Sequence, residues 1–219
     1  MNIAISRIHF PIHSLGPGKR VGIWFQGCSI KCPGCISADT WDKNKHSVGI
    51  NQVINLLNEW LPEADGITVS GGEPFEQPEQ LKVILSTARE HKHINSMVYS
   101  GYQFERLDEH LIELDGLIDA LMSDPFDISQ AQSLPLRGSD NQRLFGLTAR
   151  GKTLVDTINK AHSDDSSSKT LDLMYEGSTA WMAGIPAQTD IRKLTEGLNR
   201  NGAQAIPLID KRTNKDSTL

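Results

Sequence analysis

The run Val21-Gly22-Ile23-Trp24-Phe25-Gln26 is followed without a break by Gly27-Cys28-Ser29-Ile30-Lys31-Cys32-Pro33-Gly34-Cys35. The first part is rich in β-branched and aromatic side chains and follows the turn signal Gly16-Pro17-Gly18, so it predicts a strand. The second part sets a CxxxCxxC spacing just past that strand's C-terminal end. These three are the only cysteines in the 219 residues. An odd number on one short loop makes no disulfide framework and points to metal or redox chemistry. Three thiolates reach three corners of one small inorganic cluster and leave a fourth metal open. A structural zinc site normally has four protein ligands and a ferredoxin cluster four cysteines. Zinc completed by His13 or His46 is the competing reading, and neither histidine has finger or knuckle spacing. Gly27 and Gly34 let the backbone lie close to the sulfurs.

Working outward, strand and helix patterns alternate. Ile50, Val53, Ile54 and Leu57 recur at helical spacing in a segment stopped by Pro62. The run 66–70 reads as a strand ending in Gly71-Gly72-Glu73-Pro74, and 76–91 as a helix with Leu81, Ile84, Leu85 and Ala88 on one face. A third strand over 96–100 ends at Gly101, a helix covers 104–114, and a fourth strand over 117–122 is followed by Ser123-Asp124-Pro125-Phe126. Strands joined by helices lie parallel with right-handed crossovers, in an open or closed β/α barrel or a doubly wound sheet. In either architecture ligands gather at the C-terminal strand ends, where the cysteines, Gly71 to Pro74, Ser100 and Asp124 all fall. Ser100 and Asp124 are there placed to hold a ribose or a methionine, and are equally good helix caps or turn formers. Trp24 and Phe25 read as core residues of the first strand.

The remainder is less regular. Residues 130–153 read as a loop-rich connection in which Arg137 can anchor a carboxylate or stay solvated, and 162–169 as a polar, mobile insertion. A strand pair is predicted over 171–175 and 180–183, a helix over 190–199, and a frayed tail after Asp210.

Length and composition describe one soluble globular domain able to bury a core without staples. With 22 Lys plus Arg against 27 Asp plus Glu, a net charge of −5 argues against a nucleic-acid partner held by general electrostatics. The N-terminal MNIAISRIHF has no basic n-region followed by a long apolar run, so no signal peptide is expected, and no stretch approaches the ~18 uncharged apolar residues of a membrane span. No membrane association is expected, and the localisation read from this is cytoplasmic.

With CxxxCxxC after the first strand and Gly71-Gly72-Glu73-Pro74 after the second, the chain resembles the radical S-adenosylmethionine (SAM) superfamily. Cys32-Pro33-Gly34-Cys35, Tyr99-Ser100-Gly101-Tyr102, Leu136-Arg137-Gly138-Ser139 and Asn141-Gln142-Arg143 are similar to segments of the small activating enzymes of glycyl radical enzymes. The resemblance covers about residues 15–145, and implies an α/β fold, a partial (open) parallel β/α barrel of the radical SAM type. The chain is expected to be a single domain, with a loop-rich C-terminal extension over about 146–210 and a frayed tail over about 211–219. The implied cofactors are one [4Fe-4S] cluster on Cys28, Cys32 and Cys35, and SAM chelating the fourth iron. Glu73 would orient the methionine ammonium, with Gly71, Gly72 and Pro74 completing the motif, and Gly34 and Ile36 would face the adenine by flanking Cys35. Gly34 stands where the superfamily commonly has an aromatic residue, and Ile36-Ser37 where the activases often have an aromatic residue and Asn.

The implied activity is reductive cleavage of SAM to a 5′-deoxyadenosyl radical that activates a glycyl radical enzyme, such as an anaerobic ribonucleotide reductase. Flavodoxin or ferredoxin is the implied electron donor. The alternatives are a radical SAM synthase acting on a small metabolite of the deazapurine type or a peptide, and a non-enzymatic Fe-S electron-transfer or sensor protein.

Overall fold

The computed structural model describes residues 1–164, 170–176, 179–202, 204 and 208–212. Its main sheet is assembled from β1 (Asn2–Ile12), β2 (Arg20–Phe25), β3 (Ser47–Gly49), β4 (Gly66–Gly71), β5 (Asn95–Tyr99), β6 (Ala120–Ser123) and β7 (Arg143–Gly146). The spatial order is β3-β1-β2-β4-β5-β6-β7. Strands β2, β4, β5 and β6 are mutually parallel, as the alternating pattern predicts, while β1, β3 and β7 add antiparallel edges. The protein is therefore a mixed α/β fold around a parallel-strand sheet.

Helices α1 (Ile50–Trp60), α2 (Pro78–Glu90) and α3 (Asp108–Glu113) are the crossovers. Their apolar stripes, among them Val53, Leu57, Leu81, Ile84 and Leu85, pack with Val21, Ile23, Phe25, Ile67, Val69, Val98 and Leu121 in the principal core. Each such side chain taken fully from water contributes about 1.5–3 kcal/mol. Strand alternation sends Trp24, Met97 and Met122 to the opposite face. There α4 (Ala149–Asp164) covers Met97, Ala120 and Met122 through Leu154 and Ile158. A hairpin of β8 (Leu171–Glu176) and β9 (Thr179–Gly184) brings Ala183 against Ile12, Leu15 and Trp24, and α5 (Gln188–Arg200) follows it.

Three segments differ from the sequence reading. The N-terminal stretch is strand β1, unflagged because its pairing is interrupted by irregularities around Arg7 and before Ile12. The connection read as loop over 130–153 contains β7, whose Phe145 stacks on Phe104 at 4.1 Å, and the start of α4. The expected mobile insertion begins inside α4, and its residues 165–169 lie outside the described ones. The predicted hairpin and final helix are present. Among the described residues no helix is long and apolar enough to cross a membrane.

Candidate cluster and cofactor site

The C-terminal ends of β2, β4, β5 and β6 open on one cavity of about 190 Å³. Cys28, Cys32 and Cys35 line it together with Gly71, Gly72, Glu73, Ser100, Gly101 and Phe126, each just past a strand end. The cysteine loop is held there by the turn after β4. Gly72 N–H donates to Phe25 O and Glu73 N–H to Gly27 O, both at 2.8 Å. A Cβ on Gly72 would stand 2.0 Å from Gly27 O, so the two backbones meet only because residue 72 has no side chain. Glu76, which the sequence reading did not single out, fixes the loop's start: its Oε1 accepts from Ser29 N–H at 2.7 Å and Ser29 Oγ–H at 2.6 Å.

Burial pushes the thiols of Cys28 and Cys35 up to about 11 and raises that of Cys32, while backbone N–H groups of Ile30, Lys31, Phe126 and Ser37 aimed at the sulfurs oppose it. Ser37 N–H lies 3.4 Å from Cys35 Sγ. Desolvated sulfurs ringed by amide donors are protonated thiols without a metal and well-supported thiolates with one. Among the described residues no three His, Cys, Asp or Glu side chains converge on a point suited to a single ion. Three thiols on one cavity wall, with no fourth cysteine in the sequence, are a donor set that fits three corners of an iron–sulfur cluster.

Glu73 is 1 % exposed and, among the described residues lining the cavity, the only Asp, Glu, Lys, Arg or His. Its Oε1 accepts from Phe75 N–H at 3.1 Å and Ser100 Oγ–H at 3.0 Å, and its Oε2 from Gly101 N–H at 2.8 Å. Burial pushes its carboxyl up to about 7 against these three donors. A buried carboxylate with no lysine, arginine or histidine among the described residues of its wall has the chemistry to accept a ligand cation.

Beside the three cysteines, the structure gathers Ile36, Gly71, Gly72, Glu73 and Ser100 into the cavity wall, and it leaves Gly34, Pro74 and Asp124 outside it. Asp124, with φ 83, is turned to Arg143, whose Nε and terminal nitrogen donate to its carboxylate at 2.6 and 2.9 Å. It is a structural anchor at the strand end, and the proline-capped turn puts Phe126 on the cavity in its place. Gly34, with φ 76, turns its N–H to Asp210 Oδ2 at 2.9 Å and does not line the cavity. Pro74 is buried at the first position of the 3-10 turn after Glu73, where its fixed φ shapes the motif without lining the cavity. Arg137 is spent inside its own loop, donating to Gln142 O at 2.7 Å and Pro135 O at 3.2 Å.

The sequence reading missed most of the remaining wall. Trp24, read as core, is buried and also lines the cavity, with Trp41, Tyr99 and Phe126 adding aromatic surface. Gln132 Nε2 ties the Arg137 loop to the end of the hairpin, donating to Arg137 O at 3.2 Å and Ile185 O at 3.1 Å. Ile185 and Pro186 thereby join the wall. Nothing in the periodicity of an isolated hairpin signals that its end reaches a site built by β2 to β6.

Comparison with known proteins agrees with this geometry. Residues 14–145 match the 4Fe-4S single cluster domain family. Over 144 residues the chain is 31% identical to the anaerobic ribonucleoside-triphosphate reductase-activating protein of Escherichia coli (strain K12), covering 61% of this chain and 93% of that protein. It is 27% identical over 138 residues to the protein of the same name from Enterobacteria phage T4, covering 61% and 87%. It is 26% identical over 144 residues to the pyruvate formate-lyase-activating enzyme of Staphylococcus aureus (strain USA300), covering 62% of this chain and 57% of that enzyme. The family match ends before α4, the hairpin and α5.

Proposed function

The chain belongs to the 4Fe-4S single cluster domain family and to the radical SAM activating enzymes, and from that premise we propose that it cleaves SAM reductively to activate a glycyl radical protein. Cys28, Cys32 and Cys35 would hold one [4Fe-4S] cluster. Glu73, steadied by Ser100 and Gly101, would receive the methionine ammonium of SAM, and the parallel strands β2, β4, β5 and β6 would form the partial barrel. The observation that carries this reading is the pairing, in one cavity, of three desolvated thiols with a single buried carboxylate.

When bound on Cys28, Cys32 and Cys35, the cluster would supply the one-electron chemistry for cleaving the sulfonium bond of SAM to methionine and a 5′-deoxyadenosyl radical. The chain's own residues bind and orient. Glu73 fixes the amino-acid end of the cofactor, the aromatic wall of Trp24, Trp41, Tyr99 and Phe126 keeps bulk water from the reacting centre, and the cysteine loop is held against the turn at Gly72. Flavodoxin or ferredoxin is the proposed electron donor and the cytoplasm the proposed compartment. The hairpin reaches the same cavity, which supports reading the chain as one domain.

The relatives from E. coli and phage T4 are named for activating an anaerobic ribonucleoside-triphosphate reductase, and a protein of that kind is the proposed partner. The test is electron paramagnetic resonance of an anaerobic mixture of reduced, cluster-loaded protein, SAM and a co-encoded candidate partner. A persistent glycyl doublet is expected. Its absence from every candidate, with deuterium from a labelled metabolite appearing in 5′-deoxyadenosine, would move the assignment to a small-molecule substrate.

A further inference from the structure

The outer half of the cysteine loop is weakly self-supported. Lys31 and Gly34 both have positive φ, 50 and 76, and the backbone bond closing this half is Cys35 N–H to Cys32 O at 3.2 Å. Residues 210–212, beyond the part of the chain that matches the family, supply further ties. Asp210 Oδ2 accepts from Gly34 N–H at 2.9 Å, and Asp210 N–H donates to Cys35 O at 2.9 Å. Arg212 donates to Lys31 O at 2.7 Å and through Nε to both Asp210 carboxylate oxygens, at 3.0 and 3.1 Å. Its guanidinium lies 5.0 Å from the ring centroid of Trp41, which lines the cavity with Cys35 and whose backbone O accepts from Cys28 N–H at 3.2 Å. Arg212, expected to fray, is therefore engaged with the loop.

We propose that residues 210–212 are a strap that positions the Cys35 corner of the cluster loop, Asp210 acting through Gly34 and Arg212 through Trp41. The proposal rests on the reading that Cys28, Cys32 and Cys35 hold a cluster. A loop with two residues in the left-handed region has little local reason to stay in one conformation. Three long-range hydrogen bonds to its backbone and a cation stacked on the indole hold it in register. Nearby charge also sets the potential of an iron–sulfur centre, so the Arg212 cation, stacked on Trp41 in the cavity wall, links the strap to redox behaviour as well as to retention.

The experiment compares cluster-loaded wild type, Asp210→Ala, Arg212→Ala and Trp41→Phe under anaerobic conditions. It measures iron release to a strong ferrous chelator and the midpoint potential of the cluster. Removing outer supports of metal ligands typically costs 10–100-fold in affinity, so release from Asp210→Ala and Arg212→Ala is expected to be roughly 10-fold faster. Arg212→Ala, which removes a cation beside the loop, is expected to lower the potential, and Trp41→Phe, which weakens the platform on which that cation stacks, to move it the same way. Asp210→Asn keeps an acceptor for Gly34 and loses the ion pair, so it carries the test if the alanine variant does not fold, with release faster than wild type. Wild-type release and wild-type potential in these variants overturn the proposal. So does lower thermal stability of the cluster-free variants with an unchanged potential, because that is a structural role only. Wild-type protein that takes up zinc and no sulfide would instead remove the cluster reading itself.

Discussion

Glu73, at the end of β4, accepts a hydrogen bond from the hydroxyl of Ser100, at the end of β5, at 3.0 Å. That bond, with the one from Gly101 N–H, couples two neighbouring strand ends and aims a buried carboxylate into the cavity. Replacing Glu73 by Gln keeps the shape and removes the charge. A hydrogen bond to a charged group is worth about 1.5–3 kcal/mol, so the affinity of the cluster-loaded protein for SAM is expected to fall roughly 10–100-fold. Anaerobic calorimetry measures it, and an unchanged dissociation constant would remove Glu73 from the ammonium site.

The raised carboxyl of Glu73 makes two pH dependences. Its folded value of about 7 lies above the ordinary 4.5, so the folded, cluster-free protein binds more protons than the unfolded chain between those values. This contribution to stability is fully present below pH 4.5 and is lost as pH rises through about 7. Cofactor binding runs the other way and strengthens as pH rises through the same window, because a cation requires the ionised carboxylate. Thermal melts and SAM titrations across the window check both, and Glu73→Gln is expected to flatten them. A melting temperature that rises through the window because of Glu73 would show the sign to be wrong.

Gly72→Ala places a Cβ against Gly27 O, a backbone atom that cannot swing aside. Overpacking of this kind costs about 1–3 kcal/mol or more, expected as a melting temperature lower by roughly 5–10 °C. Because the same contact seats the cysteine loop, iron content after reconstitution should fall with it. Normal melting and full iron loading would mean the two turns do not need this close approach.

Asp124 gives the opposite expectation. Its carboxylate is held by Arg143, which also pairs with Glu105 at 2.7 Å, and it stands outside the cavity wall. Asp124→Asn is expected to lower thermal stability by about 1 kcal/mol while SAM affinity stays within about twofold. A large loss of affinity at unchanged stability would return Asp124 to the cofactor site.

The parts of this protein legible in its sequence are those where one local pattern has one structural meaning. The stripes of α1 and α2, the apolar runs of β2, β4 and β5, and the cysteine spacing all need only their neighbours in sequence to be read. Strand-end position correctly brought Glu73 and Ser100 to the cavity, because parallel strands share one C-terminal edge. The same rule did not bring Asp124 into the cavity wall, since which way a strand-end side chain turns depends on Arg143, 19 positions on and outside any local pattern. Gly34 stands outside the wall for a related reason: its N–H answers to Asp210, 176 positions away. The antiparallel strands β1 and β7 were missed because irregular pairing in β1 and the shortness and polar context of β7 blur the two-residue alternation that marks a strand.

The most direct test of the account is product analysis of reconstituted protein incubated anaerobically with SAM and a strong one-electron reductant. The account predicts 5′-deoxyadenosine and methionine in equal amounts from protein carrying one [4Fe-4S] cluster, and none from Cys32→Ala. SAM recovered intact from fully loaded, reduced wild-type protein would contradict it, as would undiminished cleavage by the Cys32 variant.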